Sequence, residues 1–544
     1  MGRAPLPASV AERTVRDLLD ARAAATPERP ALIAPSLVSG EEVVLDYAAL
    51  QAGARRTASA LAAVGVGKGD RVAILLNNDA AAEAHVTFHA SHRLGAINVP
   101  LNTRYVAREL AYVLDFIEPA AVVFAGEFAG LLGELRGSLG EAALLEISRA
   151  PRLGDSFEEA VAAAAGDHEP VPLTEHDDAD WIFTSGTTGN PKAVVLSHAN
   201  SVACAYQAIR VWGLDETSVY QSFAPFFTST GCHTNLLACL AAGCTYAVEP
   251  EFDVSDTLAR MKRYRTTSTF LINSVLALIF DRVGDAVFAP GDFPALRRIC
   301  YGGQAASPEF SRRVWEVGQR LGVELVNVYG LTESGNAGMM LTPEDHPQAL
   351  ARIGPYGLSI GRTTFHPWIE HAVLHEDGSP VATGELGELC MRGPSTMSRY
   401  AHDPQATAAV LRHGWLYTGD VCTVDDAGFV YFVDRSKQLI RRGGLNISSA
   451  EIEGVLTEHP GIAEAAAVPM PNPVLGEDVR GVVVAAVDPP PTEQEVIAFC
   501  RVRLADYKVP SRIDFVAALP RNAMGRVLKT VLTGGGSSLS AADE

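Results

Sequence analysis

From about residue 45 onward, segments with helical periodicity alternate with short runs of apolar and β-branched residues. The helix-like segment at residues 47–65 precedes a strand-like run at 71–76, and a second at 81–95 precedes a run at 96–101. Further strand-like runs follow at residues 121–124, 181–185 and 245–249. Helices that alternate with buried strands are typical of βα units around a parallel sheet. The predicted fold class is therefore α/β, with a large N-terminal body of parallel-sheet βα layers.

The pattern changes near residue 385, where shorter strands and hairpin turns such as Asp377-Gly378 predict a small β-rich subdomain. The final segment has its own helix-like and strand-like runs and is predicted to form a small, compact α+β domain. A chain of 544 residues is long enough for about three or four core-forming units. The boundaries are placed at residues 1–434 for the N-terminal body, 435–437 for a hinge and 438–544 for the C-terminal domain.

The 44 basic and 64 acidic residues give a formal net charge of −20 at pH 7. Such an acidic chain argues against nucleic acid or an anionic membrane as a partner, so any polyanion must bind in a local pocket. The eight cysteines form no C-x-x-C pair and no Cys/His array spaced for zinc, which predicts scattered, reduced core thiols. No apolar run approaches the ~18 residues needed to cross a bilayer, and the first residues lack the apolar core of a signal peptide. We therefore expect a cytoplasmic protein.

A run of glycine, serine and threonine at residues 184–192 leaves a predicted strand and ends in Lys192. Such a loop can present backbone N–H groups, hydroxyls and one ammonium to phosphate oxygens. Its spacing differs from the Walker pattern, because no lysine stands at the required distance after Gly186. Taken alone, the run predicts either a phosphate-binding loop or a plain glycine-rich turn. Only six of the 44 basic residues are lysines, and three of these six lie in the motifs described here.

Four further motifs follow this loop in the chain. They are Tyr329–Glu333, Tyr417–Asp420, Asp434–Ile440 with Gly443 and Gly444, and Pro520–Lys529. Together with the loop, they resemble the adenylate-forming superfamily of acyl-CoA synthetases, peptide-synthetase adenylation domains and luciferases. The resemblance extends from about Val15 to Lys529. It implies that a carboxylate attacks the α-phosphate of Mg-ATP to form an acyl-adenylate and pyrophosphate, after which a thiol displaces AMP.

The resemblance also implies roles for individual residues around the nucleotide. The residues that would bind the β- and γ-phosphates are Thr184, Ser185, Gly186, Thr187, Thr188 and Lys192. Thr332 would contact the α-phosphate, and Glu333 would hold Mg²⁺ as a hard oxygen ligand. The residues that would contact the adenine base or its surroundings are Tyr329, Gly330, Gly302, Gly303 and Gln304.

Four residues nearer the C-terminus complete the implied site. Asp420, assisted by Arg435, would accept hydrogen bonds from both ribose hydroxyls, although an aspartate after Thr-Gly is also a common turn residue. Lys529 would bridge the incoming carboxylate and the α-phosphate. Lys437 matches the position of the hinge about which the C-terminal domain rotates between the two half-reactions, with a solvated surface lysine as the alternative.

The chain departs from the family pattern at Ala193, Arg526 and residues 225–228. At the position of Thr228 the family usually has a histidine at the edge of the acid pocket; His233 is either its substitute or a structural histidine. The residues expected around the acid are Phe227, Thr228, His233, Asn273, Ser274, Tyr301, Gln304, Ser334 and Asn336. So many polar side chains favour a small, polar or aromatic acid over a long acyl tail.

The leading prediction is a ligase that uses ATP and Mg²⁺ to adenylate a small-molecule acid and passes the acyl group to coenzyme A. One alternative is adenylation for another acceptor, a carrier-protein thiol or an amine, including activation of nitrite for diazotisation. A second is a catalytically silent homologue that binds nucleotide as a sensor or scaffold, against which Lys192, Glu333, Asp420 and Lys529 argue. The oligomeric state is left open, with a homodimer and a carrier protein acting in trans among the alternatives.

Overall fold

The computed structural model divides into two compact units. The first unit contains residues 1–350, 360–371 and 391–416, and the second contains residues 351–359, 372–390 and 417–544. The residues that the structure describes are 10, 13–164, 168, 170–184, 191–284, 289, 291–303, 306, 308–336, 338–354, 356–363, 368–435, 439–442, 445–472, 475–504, 506–521 and 527–533. The second unit begins before the predicted domain boundary, because it also takes in the segments 351–359, 372–390 and 417–434.

Strands and helices alternate along the described chain. The strands are β1 Pro30–Ser36, β2 Glu41–Asp46, β3 Arg71–Leu75, β4 Ile97–Pro100, β5 Ala121–Ala125, β6 Ala143–Ile147, β7 Asp155–Ser156, β8 Asp178–Thr184, β9 Lys192–Ser197, β10 Val219–Ser222, β11 Thr245–Val248, β12 Ser268–Ile272, β13 Arg298–Gly302, β14 Glu324–Tyr329, β15 Met339–Leu341, β16 Gly361–Arg362, β17 Glu370–Leu374, β18 Leu386–Arg392, β19 Arg399–Tyr400, β20 Leu411–Arg412, β21 Trp415–Val424, β22 Phe429–Arg435, β23 Ile440–Arg442, β24 Leu445–Ile447, β25 Ile462–Asn472, β26 Gly476–Ala485 and β27 Arg512–Phe515. The α-helices are α1 Val15–Ala25, α2 Tyr47–Ala63, α3 Ala81–Leu94, α4 Ala107–Ile117, α5 Ala129–Glu134, α6 Arg136–Leu139, α7 Phe157–Ala163, α8 His198–Trp212, α9 Leu236–Ala242, α10 Val254–Tyr264, α11 Asn273–Val283, α12 Pro308–Leu321, α13 His346–Ala351, α14 Pro404–Val410, α15 Ser449–Thr457, α16 Glu493–Arg501 and α17 Lys529–Thr533.

The described part of the first unit contains two large sheets. One has the strand order β15-β14-β13-β12-β10-β11-β1-β2, in which the six strands from β14 to β1 run parallel. The other has the order β19-β9-β8-β4-β3-β5-β6-β7, in which the six strands from β8 to β7 run parallel. The predicted parallel-sheet body is confirmed.

Helices cover these sheets because their apolar residues recur on one face. In α2, Leu50, Ala54, Ala58 and Leu61 are buried at intervals of three or four residues, so one stripe of the helix faces the core. Asp46 begins this helix, since its side chain accepts a hydrogen bond from the Ala49 amide. The same residues belong to the main hydrophobic cluster of the unit, together with apolar residues of β1 and β3.

The second unit contains two smaller sheets in its described part. One has the order β17-β18-β21-β22, and the other the order β24-β23-β26-β25 with β27 beside β26. Helices α15 and α16 bury Ile452, Leu456, Val496 and Cys500 in the core of the second sheet. This sheet and its helices form the predicted small C-terminal α+β layer. Among the described residues, no helix is long and apolar enough to cross a membrane.

Candidate active site

The segments expected to bind nucleotide leave the first sheet at one edge. Strands β12, β13 and β14 run parallel, and Ile272, Gly302 and Val328 face one another in their register. The residues that follow these positions therefore emerge side by side. In open parallel sheets, ligands bind in the crevice at the carboxyl ends of the strands. The topology thus brings together the predicted segments 273–274, 302–303 and 329–330.

Close backbone packing explains the glycines at this edge. Gly302 has a φ of 144°, and a Cβ on it would lie 2.2 Å from the carbonyl oxygen of Val328. A Cβ on Gly330 would lie 2.5 Å from the carbonyl oxygen of Asn336. Gly303 and Gly330 are both exposed. The edge therefore offers bare backbone, which allows a planar group such as a nucleobase to approach closely.

A short turn after β14 presents Thr332 and Glu333. Residues Thr332–Ser334 form one turn of 3₁₀-helix that ends at Gly335, where φ is 70°. Ser334 is buried, and its hydroxyl donates to the carbonyl oxygen three residues earlier at 2.9 Å. Thr332 and Glu333 remain half-buried. The turn therefore anchors itself through Ser334 and leaves the two predicted phosphate and metal ligands accessible.

Tyr400, which was not among the predicted site residues, links Glu333 to Lys192. Its hydroxyl donates to Glu333 Oε1 at 2.8 Å, and the Lys192 ammonium lies 5.0 Å from the centroid of its ring. Among the described residues, neither Lys192 nor Glu333 has an ion-pair partner. The tyrosine therefore contacts a cation, Lys192, and an anion, Glu333, that form no ion pair with each other.

Glu333 suits the Mg²⁺ ion that the family resemblance implies. Tyr400 engages one carboxylate oxygen, and no hydrogen bond within the described ranges engages the other, Oε2. Mg²⁺ commonly binds proteins through one or two carboxylates and takes its other ligands from water and phosphate. The described chain contains no group of three or more His, Cys, Asp or Glu that could hold a metal. A single carboxylate oxygen fits an ion that is shared with a triphosphate.

The predicted phosphate-binding loop is described only at its ends. Strands β8 and β9 are antiparallel neighbours, and Thr184 pairs with Lys192 in their register. The loop therefore leaves and re-enters the sheet at adjacent positions. The predicted residues that lie outside the described part of the chain are Ser185, Gly186, Thr187, Thr188, Gln304 and Lys437.

Thr228 caps the segment that follows it. Its hydroxyl donates to the carbonyl oxygen of Pro225 at 2.7 Å and accepts a hydrogen bond from the Gly231 amide at 3.0 Å. The capped segment, Ser229–Asn235, has the hydrogen bonding of a π-helix. A short hydroxyl that engages nearby backbone groups in this way stabilises the local turn.

Asn336 joins the Thr228 segment to the turn after β14. Its side-chain amide donates to Thr230 Oγ1 at 2.8 Å. Its φ is 62°, a left-handed conformation that asparagine tolerates better than most residues. Of the other predicted acid-pocket residues, Phe227 and Asn273 are buried and Ser274 is exposed. The bond therefore connects the two segments expected to border the acid.

His233 and Tyr301 lie in the core. His233 is fully buried, and its Nε2 lies 3.8 Å from Asp180 Oδ2. Burial lowers the pKa of His233 to about 4, so the ring is neutral near pH 7 and carries no charge for a substrate carboxylate. Tyr301 is also fully buried, with its hydroxyl 3.0 Å from His346 Nε2. These placements favour the structural alternative for His233.

The internal hydrogen bonds change how the predicted acid pocket is interpreted. The sequence argument treated its polar side chains as groups that face the substrate. In the structure, the side chains that bond to protein groups include those of Thr228, Tyr301, Ser334 and Asn336. Buried polar groups normally find such partners within the protein. The polarity of these residue types therefore does not decide the polarity of the acid.

In the second unit, Asp420 lies on β21 and is 1% exposed. It stands opposite Arg435 of β22 in the strand register. The Asp420 amide donates to Thr418 Oγ1 at 3.1 Å, and the preceding amide of Gly419 donates to Glu388 Oε1 at 2.7 Å. These bonds fix the backbone that carries the predicted ribose ligand.

Lys529 is held by a carboxylate of its own unit. Its Nζ lies 2.7 Å from Glu453 Oε1 and donates to Ser449 Oγ at 2.5 Å. Ser449 Oγ in turn donates to Asp434 Oδ2 at 2.5 Å. Burial raises the pKa of Glu453, and the charge of Lys529 opposes that rise. The predicted catalytic lysine is therefore compensated by Glu453 and connected to Asp434 of the predicted hinge motif.

Two family models match the chain. The one described as AMP-binding enzyme matches residues 19–401, and the one described as AMP-binding enzyme C-terminal domain matches residues 451–526. A long-chain-fatty-acid–CoA ligase (FadD13) of Mycobacterium tuberculosis is 32% identical over 520 residues, which span 95% of this chain and 97% of that protein. An indoleacetate–CoA ligase of Aromatoleum aromaticum is 33% identical over 490 residues, which span 89% of this chain and 92% of that protein.

Solved structures agree with these matches. The o-succinylbenzoate CoA synthetase (MenE) of Bacillus subtilis, in complex with the acyl-adenylate OSB-AMP, has a TM-score of 0.82 and 29% identity. The match covers 96% of this chain and 99% of that one. The same synthetase with ATP and a magnesium ion has a TM-score of 0.81 and 29% identity, covering 95% and 99%. The chain therefore belongs to the AMP-binding enzyme family of the adenylate-forming superfamily and is an AMP-forming acid–thiol ligase of the acyl-CoA synthetase type.

Proposed function

We propose that this enzyme uses ATP and Mg²⁺ to activate a small, polar or aromatic carboxylic acid as an acyl-adenylate and transfers the acyl group to coenzyme A. The observation that carries the proposal is the cluster of Lys192, Tyr400 and Glu333. It combines a cation suited to phosphate oxygens with a carboxylate suited to a divalent metal. Relatives named as CoA ligases support coenzyme A as the acceptor.

In the first half-reaction, a carboxylate oxygen of the acid attacks the α-phosphorus of ATP, the bond to the β-phosphoryl oxygen breaks, and pyrophosphate leaves. Lys192 neutralises the β- and γ-phosphates, and Thr332 donates to the α-phosphate. Glu333 would hold the Mg²⁺ ion, which would supply further charge neutralisation when bound. Lys529 offsets the repulsion between the incoming carboxylate and the α-phosphate.

In the second half-reaction, the thiol sulfur of coenzyme A attacks the acyl carbon, and the bond to the adenylate oxygen breaks. AMP leaves with the bonding electrons, and the thiol proton passes to solvent. Asp420, assisted by Arg435, binds the ribose hydroxyls in both half-reactions. Lys437 is proposed as the hinge between them.

The acid is proposed to be small because of how its two neighbouring segments are connected. The hydrogen bond from Asn336 to Thr230 ties the turn after β14 to the Ser229–Asn235 segment. Separating these segments to admit a long acyl chain would break this bond and expose its donor and acceptor to apolar surface. Each unpaired polar group costs about 1–3 kcal/mol, whereas each buried methylene contributes about 0.8 kcal/mol. The bond therefore supports a short or flat acyl group.

The test is a panel of acids with and without coenzyme A. Straight-chain acids from acetate to palmitate, several aryl acids and nitrite are compared by pyrophosphate release and by mass spectrometry of the products. We expect AMP and pyrophosphate to form with small or aryl acids, and an acyl-CoA thioester to appear when coenzyme A is present. A kcat/KM that rises steadily to palmitate would overturn the small-acid proposal. Pyrophosphate release with nitrite, or acyl transfer to a carrier protein or an amine in place of coenzyme A, would instead support the alternative activities.

The chain offers a matched pair of variants for the acid-size argument. Thr230→Val removes the hydroxyl that binds Asn336 and keeps the shape of the side chain. We expect it to raise the kcat/KM ratio of medium-chain to short-chain acids by about threefold to tenfold. Thr217→Val, at an exposed threonine whose hydroxyl donates to Asp215, should leave the ratio unchanged. An unchanged ratio in the Thr230 variant would contradict the argument.

A further inference from the structure

We propose that Tyr400 is a positioning residue that sets the geometry of Glu333 and Lys192 for binding metal-bound triphosphate. The inference rests on the proposed function and extends it to a residue outside the recognised motifs. Within the described ranges, Tyr400 contacts both charged groups: its hydroxyl lies 2.8 Å from Glu333 Oε1, and its ring centroid lies 5.0 Å from Lys192 Nζ. One side chain thereby controls both the metal ligand and the phosphate ligand.

Backbone pairing fixes Tyr400 against the strand that begins at Lys192. Strand β19 is antiparallel to β9, and Tyr400 pairs with Val194 in their register. On either side, the Ser398 amide donates to the Val195 carbonyl and the Ala401 amide to the Ala193 carbonyl, both at 2.9 Å. Tyr400 is only 7% exposed. Its ring therefore has little freedom relative to Lys192.

The same short segment also holds Glu333 by its backbone. The Met397 amide donates to the Glu333 carbonyl at 2.8 Å, three residues before Tyr400 donates to the carboxylate. Glu333 is thus restrained at two points by residues 397–400. A restrained carboxylate loses less conformational freedom when it binds a cation, so its affinity for the cation is higher.

The chemistry of a phenol suits this position. The hydroxyl donates to one carboxylate oxygen and orients the other for a cation, without taking the negative charge away as a lysine or arginine would. The ring attracts the Lys192 ammonium through its π-face and leaves that charge available to phosphate. Phenylalanine would keep the contact with Lys192 and lose the bond to Glu333, whereas leucine would lose both.

Loss of the bond to Glu333 and loss of the contact with Lys192 can be separated by two equilibrium binding measurements on the full-length enzyme. The first measurement is Mn²⁺ binding to the enzyme–ATP complex, followed by electron paramagnetic resonance of free Mn²⁺. The second is calorimetry of ATP binding in EDTA without metal. We expect Tyr400→Phe to weaken Mn²⁺ binding about tenfold and to change metal-free ATP binding by less than twofold. Tyr400→Leu should in addition weaken metal-free ATP binding about threefold.

Tyr47→Phe is the matched control, because Tyr47 is also buried in the first unit and its hydroxyl donates to the Cys244 carbonyl at 2.8 Å. It should leave both binding constants unchanged. A positioning role also predicts that excess Mg²⁺ restores kcat in Tyr400→Phe, which a merely structural defect would not allow. Mn²⁺ binding by Tyr400→Phe that equals that of the unaltered enzyme, or an equal loss with and without metal, would overturn the proposal. Failure of the unaltered enzyme to bind Mn²⁺ with ATP would overturn the proposed function itself.

Discussion

Lys192 in the first unit and Lys529 in the second have opposite surroundings. Lys192 lies over the neutral ring of Tyr400, with its Nζ 5.0 Å from the ring centroid. Lys529 lies 2.7 Å from the Glu453 carboxylate and also donates to Ser449 Oγ. The charge of Lys192 is therefore available to a ligand without rearrangement of the side chain. The charge of Lys529 is compensated by the Glu453 carboxylate.

Under the proposed function, this difference gives the two lysines different roles in catalysis. A cation held over an aromatic ring is part of a preorganised site and can bind phosphate without rearrangement. In its proposed role, Lys529 must first leave Glu453 before it can act on a substrate. Because burial raises the pKa of Glu453, departure of the lysine favours protonation of the carboxylate left behind. The position of Lys529 is therefore coupled to the charge of Glu453.

The largest effect is expected for Lys529→Ala. Loss of the ammonium should reduce acid-dependent ATP–pyrophosphate exchange by about a hundredfold or more, because the proposed function assigns its charge to the adenylation transition state. Lys529→Arg should also be poor, since a planar guanidinium does not reproduce a compact ammonium. Lys508→Ala, which removes another paired lysine of the same unit, is the control and should exchange at a near-normal rate. Near-normal exchange by Lys529→Ala would contradict its role.

A smaller effect is expected for Lys192→Ala. Because the proposed function has Lys192 contact the phosphates in the ground state as well as the transition state, its loss should raise the KM for ATP about tenfold to thirtyfold. The KM for the acid should change little. Steady-state kinetics with each substrate varied in turn provide the measurement, with Lys262→Ala, which removes a surface lysine 3.7 Å from Asp292, as control. Equal rises in both KM values would point to a general disturbance of the unit.

Glu453→Gln should have the smallest effect on the chemistry and a distinct effect on stability. We expect pyrophosphate exchange within about threefold of normal, and a loss of about 1–2 kcal/mol of stability from breaking the partly buried pair. Glu451→Gln on the same helix breaks the equivalent pair with Lys508 and is the matched control. A loss of exchange in Glu453→Gln as large as that of Lys529→Ala would contradict the assignment of Glu453 as a mere counter-ion.

The pH dependence of stability sharpens this comparison. Since the folded-state pKa of Glu453 is raised, the folded chain binds more protons than the unfolded chain between pH 4.5 and that raised pKa. The contribution of Glu453 to stability therefore falls as pH rises through this window. Glutamine does not titrate, so Glu453→Gln should lack this decline when melting temperatures are compared from pH 4.5 upward. A parallel decline in the variant would assign the effect to another group.

Much of the fold follows from local patterns in the sequence. The helix at 47–63, the strand at 71–75 and the helix at 81–94 lie within a residue or two of their predicted positions, because periodicity and capping residues are local signals. Gly302 and Tyr329 were predicted as site residues from the family resemblance, and the structure places each at the end of a parallel strand.

The contacts that complete the site could not be predicted in this way. Tyr400 and Glu333 are 67 residues apart, and their contact depends on the pairing of a two-residue strand with β9. In the sequence, Glu453 looks like an ordinary acidic residue of an amphipathic helix. Only the structure shows its ion pair with Lys529. Likewise, no local pattern reveals that the Asn336 side chain donates to Thr230, which lies 106 residues away in the chain. Long-range pairing decides each of these cases.

The most direct test of the contrast between the two lysines separates the two half-reactions of Lys529→Ala. The variant is supplied with a synthetic acyl-adenylate of the preferred acid and with coenzyme A, and thioester formation is followed by rapid quench. We expect thioester to form within about threefold of the rate of the unaltered enzyme, while pyrophosphate exchange by the same preparation is lost at least a hundredfold. A fall in thioester formation as large as the fall in exchange would contradict a role for Lys529 in the first half-reaction alone.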